Sequence, residues 1–181
     1  VMDEATPTDL ASLREPPAAP QVATHNFRFS EDYDLYPSGA KTKYKNNVMA
    51  IKLLKQIELE KRTATLEEQI ILARYVGWGG LAKAFSRTAS GWENEYQELK
   101  SLLTDVEYKA AMNSTITAYY TEPDLIRHIY RALERFGFEG GSDRKILDSG
   151  MGTGNFYSVL PEQFQGSKLF GVELDSIPGR I

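Results

Sequence analysis

Three glycines at alternate positions, Gly150, Gly152 and Gly154, follow closely on Asp148, and an acidic pair, Glu173 and Asp175, comes about twenty residues later. This is the pattern of a nucleotide-cofactor site. A strand over 145–148 that runs into a glycine turn lets the backbone approach a ligand. An acidic residue at the end of the next strand, 168–172, accepts hydrogen bonds from ribose hydroxyls. The loop spacing also separates two cofactor classes. Dinucleotide loops read G-x-G-x-x-G, the third glycine packing helix on strand. Here the loop is G-x-G-x-G, with Asp148 before it and Asn155-Phe156 after it. An aspartate aimed into the loop repels a pyrophosphate and suits a positively charged or amino-bearing group, which selects S-adenosylmethionine. A glycine turn alone is weak evidence, but strand, loop, helix, strand and terminal glutamate stand here in the right order.

The elements that must position this loop are mostly helical. Val48, Ile51, Leu54 (with Leu53) and Ile57 recur at three- and four-residue steps, the stripe of an amphipathic helix. Thr65–Glu68, Ser90–Glu93 and Thr104–Glu107 each match the Ser/Thr-x-x-Glu capping box, and Thr121–Asp124 is a variant with an early proline. The spacing predicts helices over 41–61, 66–76, 92–103, 105–113 and 122–136, the last stopped by Gly137. Trp78, in the turn Tyr75-Val-Gly-Trp-Gly-Gly80, reads either as a core side chain or as a stacking platform for a base. The stretch Ala118-Tyr-Tyr-Thr-Glu-Pro-Asp124 leads straight into the first strand. It is either an ordinary capped helix start or a wall against the methionine end of the cofactor. Residues 1–24, with Pro7, Pro16, Pro17 and Pro20, read as a disordered leader. The expected organisation is therefore a leader (1–24), a helical region (25–117) and a partial α/β domain (118–181).

Composition narrows the chemistry. The 181 residues have 41% hydrophobic and 25% charged content, ordinary values for a globular protein. A net charge of −4 offers no global attraction to nucleic acid. With no cysteine and only His25 and His128, thiolate or histidine metal sites are not expected. Asp143, Asp148, Glu173 and Asp175 are a carboxylate set for magnesium, although solvated carboxylates at strand ends look the same. There is no long apolar run and no signal-peptide pattern, so no membrane partner and a cytoplasmic location are expected.

Tyr-Thr-Glu-Pro (120–123), Ile-Leu-Asp-Ser-Gly-Met-Gly-Thr-Gly-Asn-Phe (146–156) and Gly-Val-Glu-Leu-Asp (171–175) resemble three successive motifs of adenine-N6 DNA methyltransferases. More narrowly, Asn26–Ile181 resembles the start of the methyltransferase region of large methylase–helicase proteins of phages, plasmids and conjugative elements. Gly39-Ala-Lys-Thr-Lys-Tyr44, Tyr75-Val-Gly-Trp-Gly-Gly80 and Val172-Glu-Leu-Asp-Ser-Ile177 carry that narrower likeness. The resemblance implies a Rossmann-like fold, S-adenosylmethionine as cofactor, DNA as partner and a bacterial host. It implies that Asp148, Gly150, Gly152 and Gly154 line the methionine part of the cofactor. Glu173 would bind the ribose, and Tyr120, Thr121 and Pro123 would flank the methionine end, with Phe156 and Asp175 completing the candidate set. Two departures stand out. Ser149 replaces the family's usual proline, and no Asn/Asp-Pro-Pro-aromatic tetrapeptide, which holds the flipped adenine in that family, occurs here.

No catalytic residue is therefore expected, and the chain reads as a truncated methyltransferase-like half-sheet. A sheet lacking its next strand leaves the edge of 145–148 open and its apolar neighbours uncovered, a route to self-association. The alternative expectation is a stand-alone counter-defence protein, an anti-CRISPR or anti-restriction inhibitor that binds a nuclease effector or its guide RNA.

Overall fold

A computed structural model describes residues 26–36 and 38–181; the Pro-rich stretch 1–24, expected to be a disordered leader, lies outside the described residues. Helix α1 spans Ala40–Glu60 and buries Tyr44, Val48, Ile51, Leu54 and Ile57, the stripe read from the sequence. Helix α2, Leu66–Ala73, opens on a complete capping box between Thr65 and Glu68. It stops three residues before the expected 76, because the Val76 amide is taken by the Asn47 side chain at 2.9 Å. Helix α4, Asp105–Asn113, has the second complete box, between Thr104 and Glu107.

Two expected caps are not formed. Helix α3, Glu93–Leu102, has Trp92 at its N-cap rather than Ser90. Gly91 turns with φ +75°, and the Glu93 carboxylate accepts from its amide at 3.1 Å, a local contact in place of the capping box. Helix α5, Pro123–Arg135, has Glu122 at its N-cap without a side-chain bond. Pro123 brings no amide to the first turn, so less capping is needed there. The far end of α5 behaves as expected. Gly137 adopts φ +80°, its amide bonds Glu134 O at 2.9 Å and the Phe138 amide bonds Leu133 O at 3.1 Å, a Schellman stop.

The helices enclose a core around Trp78, which is fully buried. Its ring meets Phe85 edge-on at 5.2 Å and packs beside Tyr44 and Tyr75 at 6.2 and 6.3 Å. Trp78 is thus a packing residue, and no base can reach its face. Burying a large side chain contributes about 1.5–3 kcal/mol, so this aromatic cluster anchors the helical region.

Strands β1 (Lys145–Asp148) and β2 (Lys168–Gly171) pair in parallel, Ile146 beside Leu169 and Leu147 beside Phe170. One face, with Ile146 and Leu169, packs on a second core of Ile126, Tyr130, Leu160 and Phe164. On the other, Leu147 and Phe170 are 65% and 47% exposed. Among the described residues β1 has no partner on its second edge. The connection between the strands holds one short α-helix, α6 (Asn155–Ser158), and a single 3-10 turn over Glu162–Phe164. Residues 26–36 strap its end: the Phe29 amide bonds Ser158 O at 3.0 Å and the Arg28 guanidinium bonds Leu160 O at 3.0 Å. The last helix, α7 (Ser176–Arg180), returns to the helical region and seats fully buried Ile177 in the first core. The architecture is a mostly helical region followed by a short two-stranded parallel sheet, α/β at the coarse level. No described helix is long and apolar enough to cross a membrane.

Candidate functional site

The glycine loop is laced to the strand that delivers Glu173. The Val172 amide bonds Asp148 O at 2.9 Å and the Met151 amide bonds Val172 O at 3.1 Å. Gly152 then turns with φ +56°, a conformation that favours glycine, and its amide donates to Glu173 Oε2 at 2.9 Å. The Asp175 amide donates to Glu173 Oε1, also at 2.9 Å. Two backbone donors therefore orient this carboxylate. An ionised carboxylate has about four acceptor sites, so sites remain for ligand hydroxyls. At the loop's start, Asp148 Oδ1 accepts from the Gly150 amide at 3.1 Å, while its Oδ2 is buried with no hydrogen-bond partner among the described residues.

Tyr120 closes on the loop from the other side. A Cβ placed on Gly152 would meet the Tyr120 ring at 3.2 Å. The ring also packs 6.1 Å from that of Tyr75. The backbone before Tyr120 is docked on the glycine turn of the helical region: the Gly79 amide bonds Ala118 O at 3.0 Å and the Gly80 amide bonds Thr115 O at 3.1 Å. A Cβ on Gly79 would overlap the Ala118 carbonyl oxygen, so the close approach needs glycine. That turn is in its turn held by Asn47. This fully buried side chain donates to Gly77 O at 2.7 Å and accepts from the Val76 amide at 2.9 Å. Sequence reasoning missed Asn47. Its signal was a polar residue on the apolar stripe of α1, one turn from Tyr44 and Ile51.

Together these groups line a cleft of about 530 Å³ that includes Tyr75, Tyr120, Gly150, Gly152, Glu173 and Asp175. Leu174 and Tyr119, 100% and 68% exposed, also line it. The cleft is anionic. Burial raises the Asp175 pKa from its ordinary value, and the nearby Glu173 and Glu107 charges add to that. Burial, with Glu173 and Asp175, also pushes the Tyr120 phenol far up, so it stays protonated. Arg180 lies near enough to offset part of this, but its hydrogen bonds go to Glu58 and Glu107.

The other sequence candidates are placed around the cleft rather than in it. The Thr121 carbonyl accepts from Asn155 Nδ2 at 3.2 Å, tying the start of α5 to α6. Pro123 is buried at the first position of α5 and borders a separate shallow pocket. Gly154 turns with φ +81° to open α6 and lines a different cavity, of about 400 Å³. Phe156 points its ring at Tyr130, 6.2 Å away in the second core. Asp143 precedes β1 and Asp148 ends it, so the four carboxylates considered for magnesium are not drawn together. Among the described residues no three His, Cys, Asp or Glu side chains are placed to share a metal ion.

No protein-family model, curated protein or solved structure matches this chain, so a functional reading rests on the site's own chemistry.

Proposed function

We propose that residues 118–181 are the cofactor-binding part of an adenine-N6 DNA methyltransferase-like protein of a mobile genetic element, with S-adenosylmethionine as the ligand of the Tyr120 cleft. The observation that carries this reading is the convergence of Tyr120, Gly152 and Glu173 at the carboxyl ends of two parallel strands. Open α/β sheets bind their ligands at that end. The sign of the cleft favours the same ligand class. Glu173 and Asp175 disfavour a pyrophosphate and attract a sulfonium or amino group. The unpartnered Asp148 Oδ2 beside the loop is a ready acceptor for an ammonium group.

When bound, S-adenosylmethionine supplies an activated methyl group. The chain's own residues hold and orient it: Glu173 accepts from the ribose, the Gly150–Gly152 backbone gives a close floor, and Tyr120 walls the site. In this reading the two strands are part of a Rossmann-like sheet. The 181 residues contain no Asn/Asp-Pro-Pro-aromatic tetrapeptide, so by themselves they are expected to bind cofactor without methylating DNA.

Calorimetry with S-adenosylmethionine, its demethylated product and NAD tests the reading. Saturable binding of the first two, abolished by Glu173→Ala, is expected. No binding at millimolar cofactor, or equal binding of NAD, overturns it. A second reading, a counter-defence protein that binds a host nuclease or its guide RNA, is favoured by the exposed apolar row Leu147, Phe170 and Val172. Unaltered DNA cleavage by a panel of CRISPR and restriction nucleases in its presence removes that reading.

A further inference from the structure

Helix α5 presents two apolar faces, and among the described residues only one of them is buried. Ile126 and Tyr130 are buried in the second core. Leu125, Ile129 and Phe136 are 57%, 37% and 78% exposed, and Ala132 is exposed with them. At 3.6 residues per turn, Leu125, Ile129, Ala132 and Phe136 fall within about 60° of one another, a continuous outward stripe. One flank of that stripe carries Asp124 at the N-terminal end and His128, Arg131 and Arg135 toward the C-terminal end. Charge is therefore polarised along the helix beside an apolar seam.

We propose that this face of α5 binds the same face of a second copy, in an antiparallel helix pair. The pattern is self-complementary in that arrangement. A two-fold axis near the helix centre sets Leu125 against Phe136 of the other copy and Ile129 against Ala132. A two-fold interface brings like flanks together. The acidic end of one helix, at Asp124, then meets the basic end of the other, at Arg135 and Arg131. A parallel pair, whose two-fold axis runs along the helices, brings opposite flanks together, so the acidic and basic ends of this flank would not meet. Asp124 already bonds Arg127 at 2.6 Å, yet its side chain is 82% exposed and free to accept a second cation. Two 13-residue helices bury less than a standard interface of about 1,200–2,000 Å², so the dimer is a weak one, in the micromolar range. This face is separate from the Tyr120 cleft and does not depend on what that cleft binds.

Sedimentation equilibrium of the whole chain from about 5 to 500 µM tests the proposal. A concentration-dependent monomer–dimer equilibrium is expected, and a monomer throughout that range overturns it. Ile129→Glu and, as a second choice on a more exposed site, Leu125→Glu should each weaken the dimer at least roughly tenfold while circular dichroism stays unchanged. Asp124→Arg should weaken it as well, and adding Arg135→Asp should restore it by exchanging the flank charges. Dimerisation that survives both glutamate variants, or that Leu147→Glu on the uncovered sheet face abolishes instead, overturns the α5 pairing.

Discussion

Glu173 holds the Gly152 amide at 2.9 Å, so the residue expected to bind ribose also sets the shape of the loop meant to hold the rest of the cofactor. The two motifs are about twenty residues apart in sequence and act as one unit in space. Glu173→Ala removes both the ribose acceptor and the tie, and should weaken S-adenosylmethionine binding by roughly tenfold or more, a loss of at least about 1.4 kcal/mol. Gly152→Ala should have a comparable effect by a different route. Its φ of +56° strains any L side chain, by about 1–2 kcal/mol, and the new methyl presses on the Tyr120 ring. Calorimetry on both variants checks this, and wild-type affinity in either contradicts the coupling.

Asn47 should matter more than its position on a helix suggests. Asn47→Leu leaves the Val76 amide and the Gly77 carbonyl without their partner in a buried turn. The expected cost is roughly 1–3 kcal/mol for the orphaned groups, read as a lower urea midpoint. Gly79→Ala acts on the same junction by pure overlap, since Gly79 has no positive φ and a Cβ runs into the Ala118 carbonyl. It should cost about 1–3 kcal/mol or more. Gly91→Ala, at φ +75° with open space around it, should cost only the conformational strain of about 1–2 kcal/mol. Equal stability of Gly79→Ala and wild type would show that the junction is loose.

Stability should fall in acid through Glu107. Burial opposes its ionisation, but Lys55 at 2.8 Å, the Thr104 amide and Arg180 at 2.7 Å outweigh that and hold its pKa at about 2, against 4.5 unperturbed. The folded state thus binds fewer protons than the unfolded chain between these values. Its contribution is complete above pH 4.5 and is lost as pH falls toward 2. Glu107→Gln should cost roughly 1.5–3 kcal/mol at pH 7, for hydrogen bonds to a charged group. The gap from wild type should close as acid is added. Thermal melts across pH 2–7 report this directly, and a gap that is constant with pH refutes it.

Ile177 is the apolar bolt between the acidic pair and the helical core. It is fully buried, two residues beyond Asp175, which caps α7 through the Ile177 amide at 3.1 Å. Ile177→Ala should cost about 2–5 kcal/mol and also loosen the Glu173–Asp175 turn. Chemical denaturation measures the first effect and cofactor titration the second. A variant that loses stability but keeps full affinity would separate the core from the cleft.

Much of this protein was legible locally. Both strands and the starts of α2 and α4 follow from patterns within a few residues, because capping boxes and strand ends are short-range chemistry. The Ser90 and Thr121 boxes failed where a tight glycine turn or a proline changed which backbone groups needed a partner. The candidate site was legible only as motifs. The sequence by itself determined that a glycine loop would lie beside an acidic strand end, since strand and turn propensities suffice for that. The tertiary structure alone decided which candidates meet. Tyr120, Gly152 and Glu173 come together because Asn47 and the Gly77–Gly80 turn pin the chain before Tyr120. Phe156 and Gly154 go elsewhere because the short α6 turns Phe156 into the second core and Gly154 toward another cavity. The contacts of Asn47 with Gly77, of Gly77 with Ala118 and of Tyr120 with Gly152 depend on burial and close packing, and no local periodicity encodes them.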